Sequence, residues 1–99
     1  MKLLIDFDGT ICKRHGIPTQ EGFGRPMPGA KDAIKLFQKL GHDVCVFTSN
    51  PKLKEVKKWL KRCKFPELKV TNIKEPCHII IDDRAVRFTN WQDIRKYIC

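Results

Sequence analysis

Lys2-Leu3-Leu4-Ile5-Asp6-Phe7-Asp8-Gly9-Thr10 opens the chain with an unbroken apolar run that ends in two carboxylates, a glycine and a hydroxyl. A continuous apolar run, as opposed to an alternating one, suits a strand in a parallel sheet covered on both faces. Two later runs have the same form: residues 44–47 lead into Thr48-Ser49-Asn50, and residues 78–81 lead into Asp82-Asp83. Residues 68–70 form a weaker strand candidate, and 85–88 read as a short edge strand. Between the runs, Ala30, Ala33, Ile34, Phe37 and Leu40 recur at helical spacing, with Gly41 as the stop. Asn50-Pro51 reads as an N-cap followed by proline in the first helical position. After it, Leu53, Val56, Leu60 and Cys63 make one apolar stripe with Trp59 beside it. A third short helix is expected from about Asn90, carrying Trp91, Ile94 and Ile98, with both tryptophans in the core. This β-α-β-α-β order predicts an α/β fold, a single small Rossmann-like, doubly wound parallel sheet.

The chain has 99 residues, with 20 Lys+Arg against 11 Asp+Glu, a formal net charge of +9. That length predicts one domain over residues 1–99 and no separate cap domain. Apolar residues make up 41% and fall in organised runs, which excludes disorder. No apolar stretch approaches the roughly 20 residues of a membrane span. The run at Leu3-Leu4-Ile5 is stopped by Asp6, too early for a signal-peptide core. A cytoplasmic protein with no membrane partner is expected. Cys12, Cys45, Cys63, Cys77 and Cys99 are odd in number and form no C-x-x-C pair, so they read as reduced structural thiols. His15, His42 and His78 have no metal-ligand spacing, and no phosphate-binding P-loop is present.

Residues 12–29 hold Gly16, Pro18, Gly22, Gly24, Pro26, Pro28 and Gly29, too many breakers for regular structure. So long a loop, directly after the opening motif, reads as a flap over the site. Within it Lys13, Arg14, His15 and Arg25 are placed to touch a substrate beyond its reacting group.

Ligands of open α/β sheets bind beyond the carboxyl ends of the strands. Asp6, Asp8, Asp82 and Asp83 should therefore converge on one rim, where like charges raise one another's pKa. A hard divalent cation resolves that conflict, and an all-oxygen cluster with room for phosphate favours Mg²⁺.

Leu4-Ile5-Asp6-Phe7-Asp8-Gly9-Thr10 resembles the first motif, D-x-D-G-T, of the haloacid-dehalogenase superfamily in its phosphatase form. Val46-Phe47-Thr48-Ser49 resembles the second motif, and Ile79-Ile80-Ile81-Asp82-Asp83 the fourth. The three occur in the superfamily's order and span most of the chain. The Asp82-Asp83-Arg84 ending and the missing cap insertion resemble its small capless phosphatases. The resemblance implies that Asp6 attacks phosphorus and that Asp8 serves as general acid and base. It implies that the Thr48 hydroxyl donates to a phosphate oxygen. Mg²⁺ would be held by Asp6, the backbone carbonyl of Asp8, and Asp82, with Asp83 as a ligand through water or a support. Backbone amides of Phe7, Asp8 and Gly9 would cradle the phosphoryl oxygens, and Ser49, Asn50 and Arg84 complete the expected substrate-binding set. The third motif needs a lysine, for which Lys74 is the first choice and Lys69 the second.

The function expected from this set is Mg²⁺-dependent hydrolysis of phosphomonoesters through an aspartyl-phosphate. An uncapped site admits large or polyanionic substrates, a polynucleotide end among them. The crowd of Lys54, Lys57, Lys58, Lys61, Arg62 and Lys64 on the second helix is compatible with nucleic acid or with a merely solvated face. A nucleotidase, a hydrolase of small phosphate esters, and a non-catalytic basic binding module on the same scaffold stay open. Substrate identity and oligomeric state are not encoded in these patterns.

Overall fold

A computed structural model describes residues 1–14 and 21–99. Its strands are β1 (Lys2–Asp6), β2 (Asp43–Phe47), β3 (Lys69–Thr71) and β4 (Ile79–Ile81). The helices are α1 (Ala30–Lys39), α2 (Leu53–Arg62) and α3 (Trp91–Ile98). All strands are parallel, in the order β3-β2-β1-β4. The α/β class and the single parallel sheet expected from the apolar runs are present.

Alternation along the strands divides the sheet into two unequal faces. Leu3 and Ile5 of β1, Val44 and Val46 of β2 and Val70 of β3 pack with Ile34 of α1 and Val56, Trp59 and Leu60 of α2. Both helices lie on this face because β1-α1-β2-α2-β3 steps one way across the sheet, and right-handed crossovers in one direction share a side. On the other face Leu4 and Cys45, paired in register, are 0% and 1% exposed. No helix covers them among the described residues. The crossing 72–78 from β3 to β4 does so, placing Glu75 over the sheet. Its carboxylate meets Lys2 Nζ at 3.1 Å and Lys69 Nζ at 2.6 Å, and the Cys45 thiol points to it at 3.9 Å.

The expected second helical layer is therefore corrected: the β3–β4 crossing is too short to contain a helix, and Ile80 stays 44% exposed. The doubly wound strand order is present with only one face covered by helices. Residues 85–88 form no strand, a second correction. α3 starts where expected, its Asn90 side chain accepting the Asp93 amide at 2.9 Å. Yet among the described residues α3 buries no residue and packs against no other element, and Trp91 is 71% exposed against Phe88 instead of lying in the core. The radius of gyration, 14.5 Å, exceeds the roughly 13 Å of a compact chain this long, in keeping with a helix that stands off the core.

Helix ends position the rest. α1 closes with the Gly41 amide on Gln38 and the His42 amide on Phe37, Gly41 sitting at φ 90°. α2 begins at Leu53, after Lys52, and not at Pro51. The reason is local: the Asn50 Oδ1 accepts the Lys52 amide at 2.9 Å, so Asn50 closes a turn before the helix and does not cap it. α2 ends in the same bonded pattern as α1, but with Lys64 at φ 66° in the glycine position. Lys64→Gly removes that left-handed strain and is expected to raise the unfolding free energy by roughly 0.5–1 kcal/mol, after glycine's own entropy cost. A urea midpoint that fails to rise at unchanged slope rejects this account.

Candidate active site

Because the four strands are parallel, the residues that follow them gather at one edge of the sheet. Beyond Asp6 the chain turns sharply. The Phe7 carbonyl accepts the amides of Thr10, Ile11 and Cys12 at 3.0–3.3 Å, and Gly9, at φ 84°, donates its amide to the Cys12 carbonyl at 2.7 Å. The Phe7 ring, fully buried, is the anchor of this turn. It packs edge-on against Phe23 at 5.3 Å and Trp59 at 5.1 Å, between centroids.

The flap expected over 12–29 leaves this turn as a paired stem. Cys12 bridges Pro26, the Lys13 amide meets the Arg25 carbonyl at 2.8 Å, and the Met27 amide meets the Ile11 carbonyl at 2.7 Å. Its returning limb is tied to α2, where Trp59 Nε1 donates to the Gly24 carbonyl at 2.9 Å and Arg62 pairs with Glu21. His15, Gly16 and Pro18 of that expectation lie outside the described residues.

At the rim, carboxylate oxygens of Asp6, Asp82 and Asp83 lie within 4.8 Å of one another. Burial, then the charges of Asp82, Asp83 and Asp8, push the Asp6 carboxyl from its ordinary 3.8 up to about 6, and only Arg14 acts the other way. Arg14 crosses from the flap stem to grip Asp83 with two donors, Nε at 3.0 Å and Nη2 at 3.3 Å. That grip holds the Asp83 carboxyl below the usual range and raises Arg14 further. Asp82 instead accepts the backbone amide of Arg84 at 2.8 Å. Thr48, 1% exposed, stands one residue past the Asp6–Phe47 register pair. Its oxygen accepts the Asn50 amide at 3.0 Å, which leaves the hydroxyl proton for an incoming acceptor. Three carboxylates within reach of one point make a donor set that suits Mg²⁺, and their mutual repulsion is what such a cation would relieve.

Asp6, Asp82, Asp83 and Thr48 are thus brought to one edge, and Asp8 is near enough to act on Asp6. Other members of the expected set are placed differently. Of the three amides expected to cradle phosphate, those of Phe7 and Gly9 are committed to the Phe47 and Cys12 carbonyls, leaving that of Asp8. Ser49 is exposed, the Asn50 side chain is spent on its own turn, and Arg84 contributes its backbone to Asp82. Lys74 is exposed on the crossing 72–78 and is not among the charges acting on Asp6. Lys69, the second choice for that role, opens β3 in register with Cys45 and pairs with Glu75 on the second face. The 480 Å³ hollow lined by Lys57, Leu60, Lys61, Phe65, Pro66, Glu67 and Leu68 includes none of these site residues. Sequence reasoning missed the pairing of Arg14 with Asp83, and the buried Thr10 hydroxyl that finds no hydrogen-bond partner among the described residues. The signal available for Arg14 was a cation four residues past the D-x-D-G-T run.

Comparisons with protein-family models, curated proteins and solved structures return no match for this chain.

A carboxyl at about 6 in the folded protein and 3.8 in the unfolded chain keeps its proton on folding over that interval. Its contribution to stability is complete below 3.8, declines as pH rises toward 6, and is gone above it. In metal-free protein the melting temperature of wild type relative to Asp6→Asn is therefore expected to fall between pH 4 and pH 6.5, and millimolar Mg²⁺ at pH 7.5 to restore it. A difference that is flat with pH would refute the electrostatic account. Gly9→Ala places a methyl against the Asp83 carboxylate and the Arg14 guanidinium at a positive φ. A cost of about 2 kcal/mol is expected from denaturant unfolding; less than about 0.5 kcal/mol would mean that the turn is not tightly packed.

Proposed function

We propose that this chain is a Mg²⁺-dependent phosphatase of the haloacid-dehalogenase type, hydrolysing phosphomonoesters through an aspartyl-phosphate on Asp6. The observation that carries the reading is the meeting of Asp6, Asp82 and Asp83 at the carboxyl edge, with Thr48 on the neighbouring strand end. A stability role does not account for that cluster, since burial and the neighbouring acids still raise the Asp6 carboxyl although Arg14 offsets Asp83.

Asp6, Asp82 and the Asp8 carbonyl would hold Mg²⁺, which supplies positive charge to offset repulsion between Asp6 and an incoming phosphate and keeps Asp6 ionised at neutral pH. The Thr48 hydroxyl and the Asp8 amide position the phosphoryl oxygens. An Asp6 oxygen attacks phosphorus as the ester oxygen leaves, and Asp8 donates its proton to that oxygen. Asp8 then takes a proton from water as the water attacks the same phosphorus. Orthophosphate leaves and the Asp6 carboxylate is regenerated.

No cap domain stands over the edge among the described residues, and the exposed faces of Lys54, Lys57, Lys58 and Lys61 add positive charge on α2. Both features favour a large or polyanionic substrate such as a phosphorylated polynucleotide end. Nucleotides and small phosphate esters are the competing class.

Phosphate release should require Mg²⁺, fall to background in Asp6→Asn, and drop by roughly 10²–10⁴-fold in Asp8→Asn while Mg²⁺ affinity persists. The panel would hold an aryl phosphate, nucleoside monophosphates, sugar phosphates, and oligonucleotides bearing 3′ or 5′ phosphates. Turnover near wild type in either variant, or release independent of Mg²⁺, overturns the assignment. A preference for mononucleotides over oligonucleotides moves the substrate to the small-ester class.

A further inference from the structure

The superfamily-type reading needs a cation beside Asp6 to hold the transferred phosphoryl group, and among the described residues the cation that acts on Asp6 is Arg14. We propose that Arg14, delivered by the flap stem, is the phosphoryl-binding cation of this site, and that Asp83 is the residue that positions it. The proposal rests on the phosphatase reading and adds to it the identity of the missing cation.

Three observations converge on Arg14. It reaches the rim physically, with Nε 3.0 Å and Nη2 3.3 Å from the two Asp83 oxygens. A guanidinium carries five N–H donors in a fixed fork, of which Asp83 takes two. Three donors remain, and a phosphate dianion can accept more than one. The packing around the pair leaves little slack: a Cβ at Gly9 would lie 2.6 Å from Arg14 Nε and would also strike the Asp83 carboxylate. Only a bare glycine turn lets the flap cation lie this close to the opening motif. Arg14 is also the one positive charge that acts on Asp6 among the described residues, whereas Lys69 is paired with Glu75 on the second face.

The arrangement assigns different work to the two adjacent acids. Asp82, whose oxygen accepts only a backbone amide, keeps a carboxylate oxygen for a metal. Asp83 spends both oxygens on Arg14 and acts through it. Through Arg14 the flap stem is part of the phosphate site. That stem, tied to α2 through Trp59 and Gly24, fixes the base from which Arg14 extends.

The test titrates inorganic phosphate into Mg²⁺-loaded wild type, Arg14→Ala, Arg14→Lys and Lys74→Ala, by calorimetry, beside steady-state phosphate release. Arg14→Ala is expected to weaken phosphate by about 10- to 100-fold, raise KM at least as much as it lowers kcat, and leave Mg²⁺ affinity within about threefold. Arg14→Lys, which keeps the charge but not the fork, should recover part of the phosphate affinity. Asp83→Ala should weaken phosphate in wild type but add nothing in the Arg14→Ala background, because a positioning residue has no effect without the group it positions. Phosphate affinity kept in Arg14→Ala but lost in Lys74→Ala overturns the proposal in favour of the lysine. Additive losses for Arg14 and Asp83 overturn the positioning role. A wild type that neither binds phosphate nor releases it from any ester removes the phosphatase reading itself, an outcome distinct from either.

Discussion

Repulsion among carboxylates at one sheet edge is the constraint around which this molecule is built. Asp6 ends β1, Asp8 follows it by two residues, and Asp82 and Asp83 follow β4, the strand paired beside β1. Parallel pairing leaves no choice: strands that start together end together, and their terminal side chains share one mouth. Burial, and then these neighbouring carboxylates, raise the Asp6 carboxyl to about 6. The rest of the site answers that repulsion. Arg14 is drawn across from the flap, Asp82 takes a backbone amide, and Gly9 keeps the turn thin enough for the ion pair to form.

A single aromatic group transmits this arrangement to the core. Phe7 lies between two carboxylates in sequence, yet its ring is buried against Phe23 of the flap and Trp59 of α2. Because side chains alternate, burying Phe7 directs its neighbours Asp6 and Asp8 away from the helical layer and toward the mouth. The same contact ties the flap to α2, reinforced by the Trp59–Gly24 hydrogen bond. The end of β1, the returning limb of the flap stem and α2 are therefore tied together beside the acidic rim.

The opposite face of the sheet follows a different logic. With too few residues between β3 and β4 for a helix, a hydrophobic layer is replaced by Glu75 clamped between Lys2 and Lys69. Both lysines hold the Glu75 carboxyl below its usual range, so it remains charged over Leu4 and Cys45. α3 does not supply the missing layer, and its Trp91, Tyr97 and Ile98 remain exposed with Val86 and Phe88 of the preceding segment.

The sequence by itself determined the strands that carry the acids, the two packed helices, and the gathering of Asp6, Asp82, Asp83 and Thr48 at one sheet edge. These are local properties, since apolar periodicity, breaker residues and strand ends are all read within a few positions. Where local signals competed, reading failed: Asn50 turned the chain instead of capping α2, and residues 85–88 found no neighbouring strand to join. Tertiary structure alone decided which cation faces the rim. Lys74 is exposed on the crossing 72–78, while Arg14 meets Asp83 across 69 residues of chain. No spacing rule encodes such a pair, because a charge finds its partner by where the backbone ends in space, and that is set by the packing of Phe7, Trp59 and the flap stem.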